Sequence, residues 1–303
     1  MLLHPTPPAS VRNGLKLMHM TGHFFHLTCE WSGMLYRRMM CVVFFIFLAN
    51  PLFAQDLVFA VNEGVTYQDD GLASERFKPL ISQLSKELKR PVKLQIINHY
   101  ADFEHELKIE HPDLVFIHPG NIGLAATKTG KYVGLASAKD FTDYRARVMV
   151  KADSPLKTMA DLRGKKIGVP ALESIVTVMF AANLRELGIT DPVKQFTPTR
   201  YQDAVPFMLD YGYVDAGVTG SGAVAKSWVA KGGRILAETK PVPVKQFLIS
   251  RRFSSEDTAK VQKLLLQLND SEEGRTALAG LHINGFVPWN AAVMNEAGNR
   301  LGL

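Results

Sequence analysis

Cysteine is almost missing from this 303-residue chain: Cys29 and Cys41 are the only two, and none follows them. Everything beyond Cys41 therefore lacks the means for a disulfide, a thiolate metal site or a cysteine nucleophile. A membrane-length apolar run is missing too. Cys41 to Ala49 is an unbroken apolar stretch, but a bilayer needs ~20 residues. Catalytic signatures are equally scarce. Past residue 55 the histidines are His99, His105, His111, His118 and His282. None sits in a His-Glu-x-x-His pattern or has a ligand-like partner at helical spacing, so no metal site is expected. There is no phosphate-cradling loop and no Gly-x-Ser-x-Gly elbow. Gly217 to Gly222 is glycine-rich but lacks dinucleotide spacing and a P-loop lysine, so it reads as a turn. No cofactor is expected. No basic block with interleaved aromatics points to nucleic acid.

What is present begins with an export signal. Arg37 and Arg38 precede the Cys41–Ala49 run, and Asn50 to Ala54 leads into the polar Gln55-Asp56. That order is a basic segment, an apolar segment and a small residue at the cut. Cleavage after Ala54 is expected, with an uncleaved anchor as the alternative. Met34 sits at the natural start of such a signal, so residues 1–33 are expected to be an upstream extension. Arg38-Met39-Met40 is not the small-residue context of a lipid-bearing cysteine. The full chain has 35 Lys/Arg against 29 Asp/Glu, or +6; beyond residue 54 the balance is 31 against 28, or +3. A mild positive balance suits an anionic ligand without demonstrating one.

The remainder alternates short apolar runs with amphipathic stretches. Strands are predicted at 57–61, 92–97 and 113–117, with helices at 74–88, 100–109 and 121–127. Ser74 is placed as the N-cap of the first helix. A second unit repeats the pattern. It has strands at 147–150, 166–169 and 214–218, a short helix at 158–162, and helices at 174–187, 201–210 and 222–230. Gly188 is placed to end the 174–187 helix. A returning strand at 246–250 precedes helices at 255–268, 272–279 and 290 onward. Arg147–Val150 is read as the strand that leaves the first unit. This is an α/β pattern of two units with mainly parallel sheets flanked by helices. The cleft between such units is where a small ligand binds.

Several segments, in order, carry a resemblance. They are Phe77 to Leu88, Tyr100 to Phe103, Asp113 to Gly120, and Lys151 to Ser154 with Met159 to Lys165. Gln202 to Ala204, Val214 to Gly217 and Ile283 to Pro288 follow. Together they resemble the phosphate/phosphite/phosphonate-type periplasmic binding proteins of bacterial ABC transporters. The resemblance implies a two-lobed type II periplasmic binding fold, with one lobe inserted into the other. The boundaries it suggests are 1–54 for extension and signal, 55–148 and 243–303 for the first lobe, and 149–242 for the second. It implies a monomeric, non-enzymatic receptor in the periplasm. Such a receptor captures a small oxyanion by hinge closure and passes it to a membrane permease. The alternative is a sensor that presents its closed form to a membrane histidine kinase or cyclase.

The resemblance also selects residues. Ligand oxygens in that family sit at the start of the helix that here begins near Ser174, where unpaired amides and the helix dipole favour an anion. Glu173, Ser174, Ile175 and Val176 occupy this place. Glu173 is a departure from the family pattern: it either caps its own helix or accepts hydrogen bonds from a protonated or cationic ligand. Tyr100 matches a ligand-contacting tyrosine, with packing at a helix start as the plain alternative. His118 and Asn121 follow the third strand, the ligand-binding edge of such sheets; an ordinary loop histidine and an N-cap are the plain readings. Gln202 stands where the family has a histidine, and Thr219 and Ser221 follow the 214–218 strand. No acidic residue occurs from Ala216 to Ala230, which suggests a ligand without an amine there. Glu173 with His118 leaves a cation-binding receptor as an alternative. Asp215 reads as structural, and Arg145 and Arg147 as solvated charges.

Overall fold

Two sheets organise the described residues, 55–64 and 70–303 of a computed structural model. The leader, the Met34 start and the cut after Ala54 lie outside the described residues. The first sheet holds β1 (Leu57–Asn62), β2 (Val92–Ile96), β3 (Leu114–Ile117), β4 (Tyr132–Ala138), β10 (Gln246–Ser250) and β11 (Phe286–Pro288). Their order is β11-β4-β10-β3-β1-β2. The second sheet holds β5 (Arg147–Val150), β6 (Ile167–Val169), β7 (Phe196–Pro198), β8 (Ala216–Thr219) and β9 (Arg234–Glu238), in the order β7-β6-β8-β5-β9. Both sheets are mixed, where mainly parallel ones were expected: the parallel pairs (β1 with β2 and β3; β6 with β7 and β8) run to one edge of each sheet, and the antiparallel pairs run to the other. The second sheet is thus built wholly from chain between β4 and β10. Arg147–Val150, read above as leaving the first unit, pairs only with strands of the second sheet.

The helices are α1 (Asp70–Leu88), α2 (Tyr100–Ile109), α3 (Gly120–Lys128), α4 (Ile175–Glu186), α5 (Ala204–Asp210) and α6 (Gly222–Ala230). α7 (Ser255–Leu266), α8 (Glu272–Gly280) and α9 (Ala291–Leu301) complete the chain. α1 starts four residues ahead of Ser74, so Ser74 lies inside the helix and does not cap it. Its buried stripe, Phe77, Leu80 and Leu84, is the one the periodicity marks. Gly188 ends α4 at φ 76°, a left-handed turn that a Cβ would oppose.

One face of the first sheet is an aromatic core. Phe59 packs on Phe77 and Phe247 at 6.0 and 5.5 Å between ring centroids, and Phe116 on Phe77 and Phe286 at 6.0 and 6.1 Å. Phe59, Phe77, Phe116 and Phe247 are fully buried. Each contributes ~1.5–3 kcal/mol by burial, and offset or edge pairing adds ~0.5–1.5 kcal/mol per pair. In the second sheet Val148, Val150, Ile167 and Val169 face α4, while Met149, Val205, Leu209 and Trp228 pack on the other side. Trp228 donates its indole N–H to the Val150 carbonyl at 3.0 Å. The C-terminal helix α9 belongs to both halves: Met294, Ala297 and Leu301 pack with Leu124 of α3 and with the α4 core.

Two segments join the sheets, 139–146 and 239–245, and they are stitched together. Val242 N–H donates to the Tyr144 carbonyl at 2.9 Å, and Thr239 N–H to the Ala146 carbonyl at 2.9 Å. The Thr239 hydroxyl accepts from Ala146 N–H at 3.0 Å. Arg145 pairs with Asp143 at 2.8 Å and Arg147 with Glu238 at 2.9 Å. Asp215 accepts from the Lys166 amide at 2.8 Å, a link between the starts of β8 and β6.

Candidate functional site

The first wall of the cleft is set by how β1 ends. Asn62 is buried; its amide donates to the Ile97 carbonyl at 2.7 Å and its oxygen accepts from Gly64 N–H at 2.9 Å. This turns the chain at Gly64, with φ 75°. A Cβ at Gly64 would lie 3.3 Å from the His118 ring and 3.5 Å from the Tyr100 hydroxyl, so these side chains converge over that glycine. Tyr100 opens α2, whose N-cap residue His99 makes no side-chain cap bond. Burial, then Tyr144, then Glu173 push the Tyr100 phenol up to about 12, so it faces the cleft as a neutral hydroxyl. His118 follows β3. Burial, with Lys245 as the second cause, holds its imidazole down at about 3, so the ring is neutral.

His118 Nδ1 has no hydrogen-bond partner, and neither has the buried Asn121 Oδ1 in the first turn of α3. The N-cap of α3 is Pro119, so Asn121 does not cap it. The nearby Lys245 is also buried and turns elsewhere. Its ammonium donates to the Leu281 carbonyl at 3.2 Å and lies 4.5 Å from the Phe141 ring centre. Burial lowers its pKa to about 8, against the pull of Glu63.

The second wall is the loop ahead of α4. Ser174 is its N-cap: the hydroxyl accepts from Val176 N–H at 3.2 Å. Capping therefore falls to Ser174 and not to Glu173, which is exposed and lines the cleft. Opposite lie Asn98, His99, Tyr100, Ala101 and Glu104. On this side stand Ala171, Glu173 and Arg200, and the space between is about 560 Å³. Arg200 lies with its guanidinium carbon 5.3 Å from the centre of the Tyr201 ring.

The remaining expected residues are engaged with one another. Gln202 Oε1 accepts from the Thr219 hydroxyl at 2.9 Å, from Gly220 N–H at 2.7 Å and from Ser221 N–H at 3.1 Å. It fills the amide nest at the start of α6 with the chain's own oxygen. Ser221 caps α6 by accepting from Val224 N–H at 3.3 Å. Tyr144, from the 139–146 joining segment, completes this cluster. Its hydroxyl is hydrogen-bonded to Gln202, and a side chain at Gly220 would collide with it. Its ring stands edge-on to His118 at 5.6 Å. Burial raises its phenol to about 12 against the Gln202 bond.

Tyr100 and Glu173 thus share the cleft, with His118 behind Tyr100. Ser174, Thr219 and Ser221 are held by local bonds. Tyr144, Arg200 and Glu104 are additions that the sequence reading missed; Tyr144 had no marker beyond lying between the two units. Among the described residues no cluster of three or more His, Cys, Asp or Glu is placed to hold a metal ion, and no helix is long and apolar enough to cross a membrane.

Residues 64–293 match the family model described as the periplasmic substrate-binding protein of phosphonate ABC transporters. No curated protein matches the chain. Solved structures share the fold. A Xanthomonas citri protein bound to ATP aligns with TM-score 0.69 at 16% identity, covering 82% of this chain and 98% of that one. PhnD1 of Prochlorococcus marinus in complex with methylphosphonate aligns with TM-score 0.63 at 16% identity, covering 82% and 98%. A histidine kinase sensor domain similar to periplasmic binding proteins aligns with TM-score 0.51 at 14% identity, covering 78% and 98%.

Proposed function

The chain belongs to the phosphonate-type periplasmic substrate-binding proteins of ABC transporters, and on that premise we propose that it captures a small oxyanion of phosphorus or a related element. The two halves close over the ligand about the joining segments 139–146 and 239–245, and the loaded receptor docks on an ABC permease. The observation that carries this reading is the cleft itself. The start of α4, capped by Ser174, stands on one wall and the neutral Tyr100 hydroxyl on the other. The first amides of a twelve-residue helix lack internal acceptors and offer an anion site without a cation. Tyr100, His118 and Asn121 would approach the ligand from the first half, and Glu173 and Ser174 from the second. Gln202, Thr219 and Ser221 would support the second wall by their mutual bonds. Closure would draw on contacts to both walls and shift an open–closed equilibrium.

A thermal-shift panel of phosphate, phosphite, phosphonates, sulfur oxyanions and simple cations tests it. A ligand at ~100 times its Kd adds ~2.7 kcal/mol, or roughly 5–11 °C at the ~2–4 °C per kcal/mol of a domain this size. No shift with any oxyanion at millimolar concentration would count against the proposal. The same fold serves a histidine kinase sensor domain, so a signalling partner is the second reading. Permease and ATPase genes beside this one favour transport; a sensor-kinase gene favours signalling.

A further inference from the structure

On the reading of the cleft as an oxyanion site, we infer that Glu173 makes the receptor select a ligand that brings its own proton. A singly protonated oxyacid anion is taken, and its fully ionised counterpart is rejected. Three observations combine. First, Glu173 sits immediately before the cap of α4 yet leaves the capping to Ser174, and it makes no hydrogen bond or ion pair to a described residue. A carboxylate placed there for the helix alone would bond the free amides; this one lines the cleft instead. Second, among the described residues that line the cleft, Glu104 and Glu173 stand against one guanidinium, that of Arg200. Glu104, His99 and Tyr100 face the cleft from the first wall, and Arg200 from the second. His118 is neutral behind Tyr100, and the Lys245 ammonium is turned to the Leu281 carbonyl and the Phe141 ring. Third, the other amide nest of the second half is already occupied. Gln202 Oε1 holds the Thr219, Gly220 and Ser221 donors, so a ligand oxygen has the α4 start and not the α6 start to bind.

A ligand oxygen drawn to the α4 amides therefore arrives beside a carboxylate that can only accept. An oxyanion with one remaining O–H donates to Glu173 while its bare oxygens take the amides. An oxyanion with no proton sets two acceptors against each other. The carboxylate-assisted bond is worth on the order of ten- to a hundredfold in affinity.

Methylphosphonate and methanesulfonate, similar in shape, separate the cases, because only the first carries an acidic proton after its first ionisation. Calorimetric titrations would be run at about pH 5.5 and about pH 8.5, either side of a phosphoryl group's second ionisation. The His99→Gln parent is compared with His99→Gln/Glu173→Gln, so that titration common to both, that of Lys245 included, cancels and the difference between them reads the ligand beside Glu173. The parent should bind methylphosphonate at least about tenfold more tightly at the lower pH, and methanesulfonate at least about tenfold more weakly than methylphosphonate. Glu173→Gln, an exposed isosteric change that should leave urea unfolding unaltered, should erase most of both differences, since its amide can donate as well as accept. Equal binding of the two anions by the parent, or tighter methylphosphonate binding by Glu173→Gln at both pH values, overturns the inference and leaves the oxyanion site standing. Binding of neither anion by parent or variant overturns the oxyanion reading itself, and the inference with it.

Discussion

Replacing Gln202 by alanine removes one oxygen that three donors share: the Thr219 hydroxyl and the Gly220 amide lose their acceptor, while Ser221 N–H keeps the Thr219 hydroxyl oxygen at 3.1 Å. The Thr219 hydroxyl and the Gly220 amide belong to residues with essentially no exposure, while Ser221 is partly open. A buried donor left without a partner costs ~1–3 kcal/mol. Gln202 is itself partly exposed, so water can reach part of the vacated space and the losses do not sum. The expected destabilisation of Gln202→Ala is therefore about 2 kcal/mol, or a fall in Tm of roughly 4–8 °C. Gln202→Glu keeps the acceptor and adds a formal charge at the positive end of α6, so it should unfold well above the alanine variant. The alanine variant should also gain more stability from added sulfate than wild type does, because it uncovers a helix start able to hold an anion. Urea and thermal unfolding of the three proteins, with and without sulfate, read all of this. An alanine variant within ~0.5 kcal/mol of wild type, or a glutamate variant less stable than alanine, would refute the account of the α6 nest.

Four further outcomes are open to measurement, three from the geometry and one from the leader sequence. The His118 imidazole is lowered from 6.5 to about 3 in the folded chain, so below pH 6.5 the unfolded chain takes a proton that the folded chain refuses. Its stability contribution is whole above pH 6.5 and is lost as pH falls toward 3, by at most ~1.4 kcal/mol per pH unit. Urea unfolding at about pH 7.5 and about pH 4.5 should show a smaller acid loss in His118→Gln than in wild type, and equal losses would contradict the burial argument. Lys245 carries the matching penalty: its folded pKa of about 8 lies below 10.5, so stability falls as pH drops from 10.5 to 8 and stays low beneath. Lys245→Met should gain stability near neutral pH and gain less near pH 10. Small-angle scattering should give a smaller radius of gyration once a saturating ligand from the panel is added, and an unchanged value at saturation speaks against closure. The exported protein should begin at Gln55 and react with no thiol reagent; a mature mass that retains Cys41 would contradict the leader assignment.

Most of the architecture was legible because it rests on local pattern. The Phe77, Leu80 and Leu84 stripe, the apolar β1 and β3, and the turn at Gly188 each carry their signal within a few residues. The strands that escaped notice lack that signal. β7 is three residues with two exposed, β9 is partly exposed along its length, and β4 breaks its apolar run with Gly134 and Ser137. Those strands are specified by their neighbours in the sheet, not by their own composition. The start of α1 was misplaced for a related reason: Ser74 has the chemistry of a cap, but the helix had already begun at Asp70.

The site divides the same way. Tyr100 and Glu173 were reached through the family resemblance, and the cap considered at Glu173 is supplied instead by Ser174, whose hydroxyl takes the Val176 amide. What remained hidden depends on pairs distant in sequence. Gln202 and Gly220 are eighteen residues apart yet share a hydrogen bond, and Tyr144 meets His118 from one direction and Gln202 from the other. Tyr144 is also held by its backbone to Val242, the residue that brings the chain back to the first sheet. A residue placed at both the joining segments and the back of the cleft is therefore where a change in closure would first alter the second wall. Moving the halves must change the edge contact with His118, the Gln202 bond, or both, since one ring cannot keep two partners that separate.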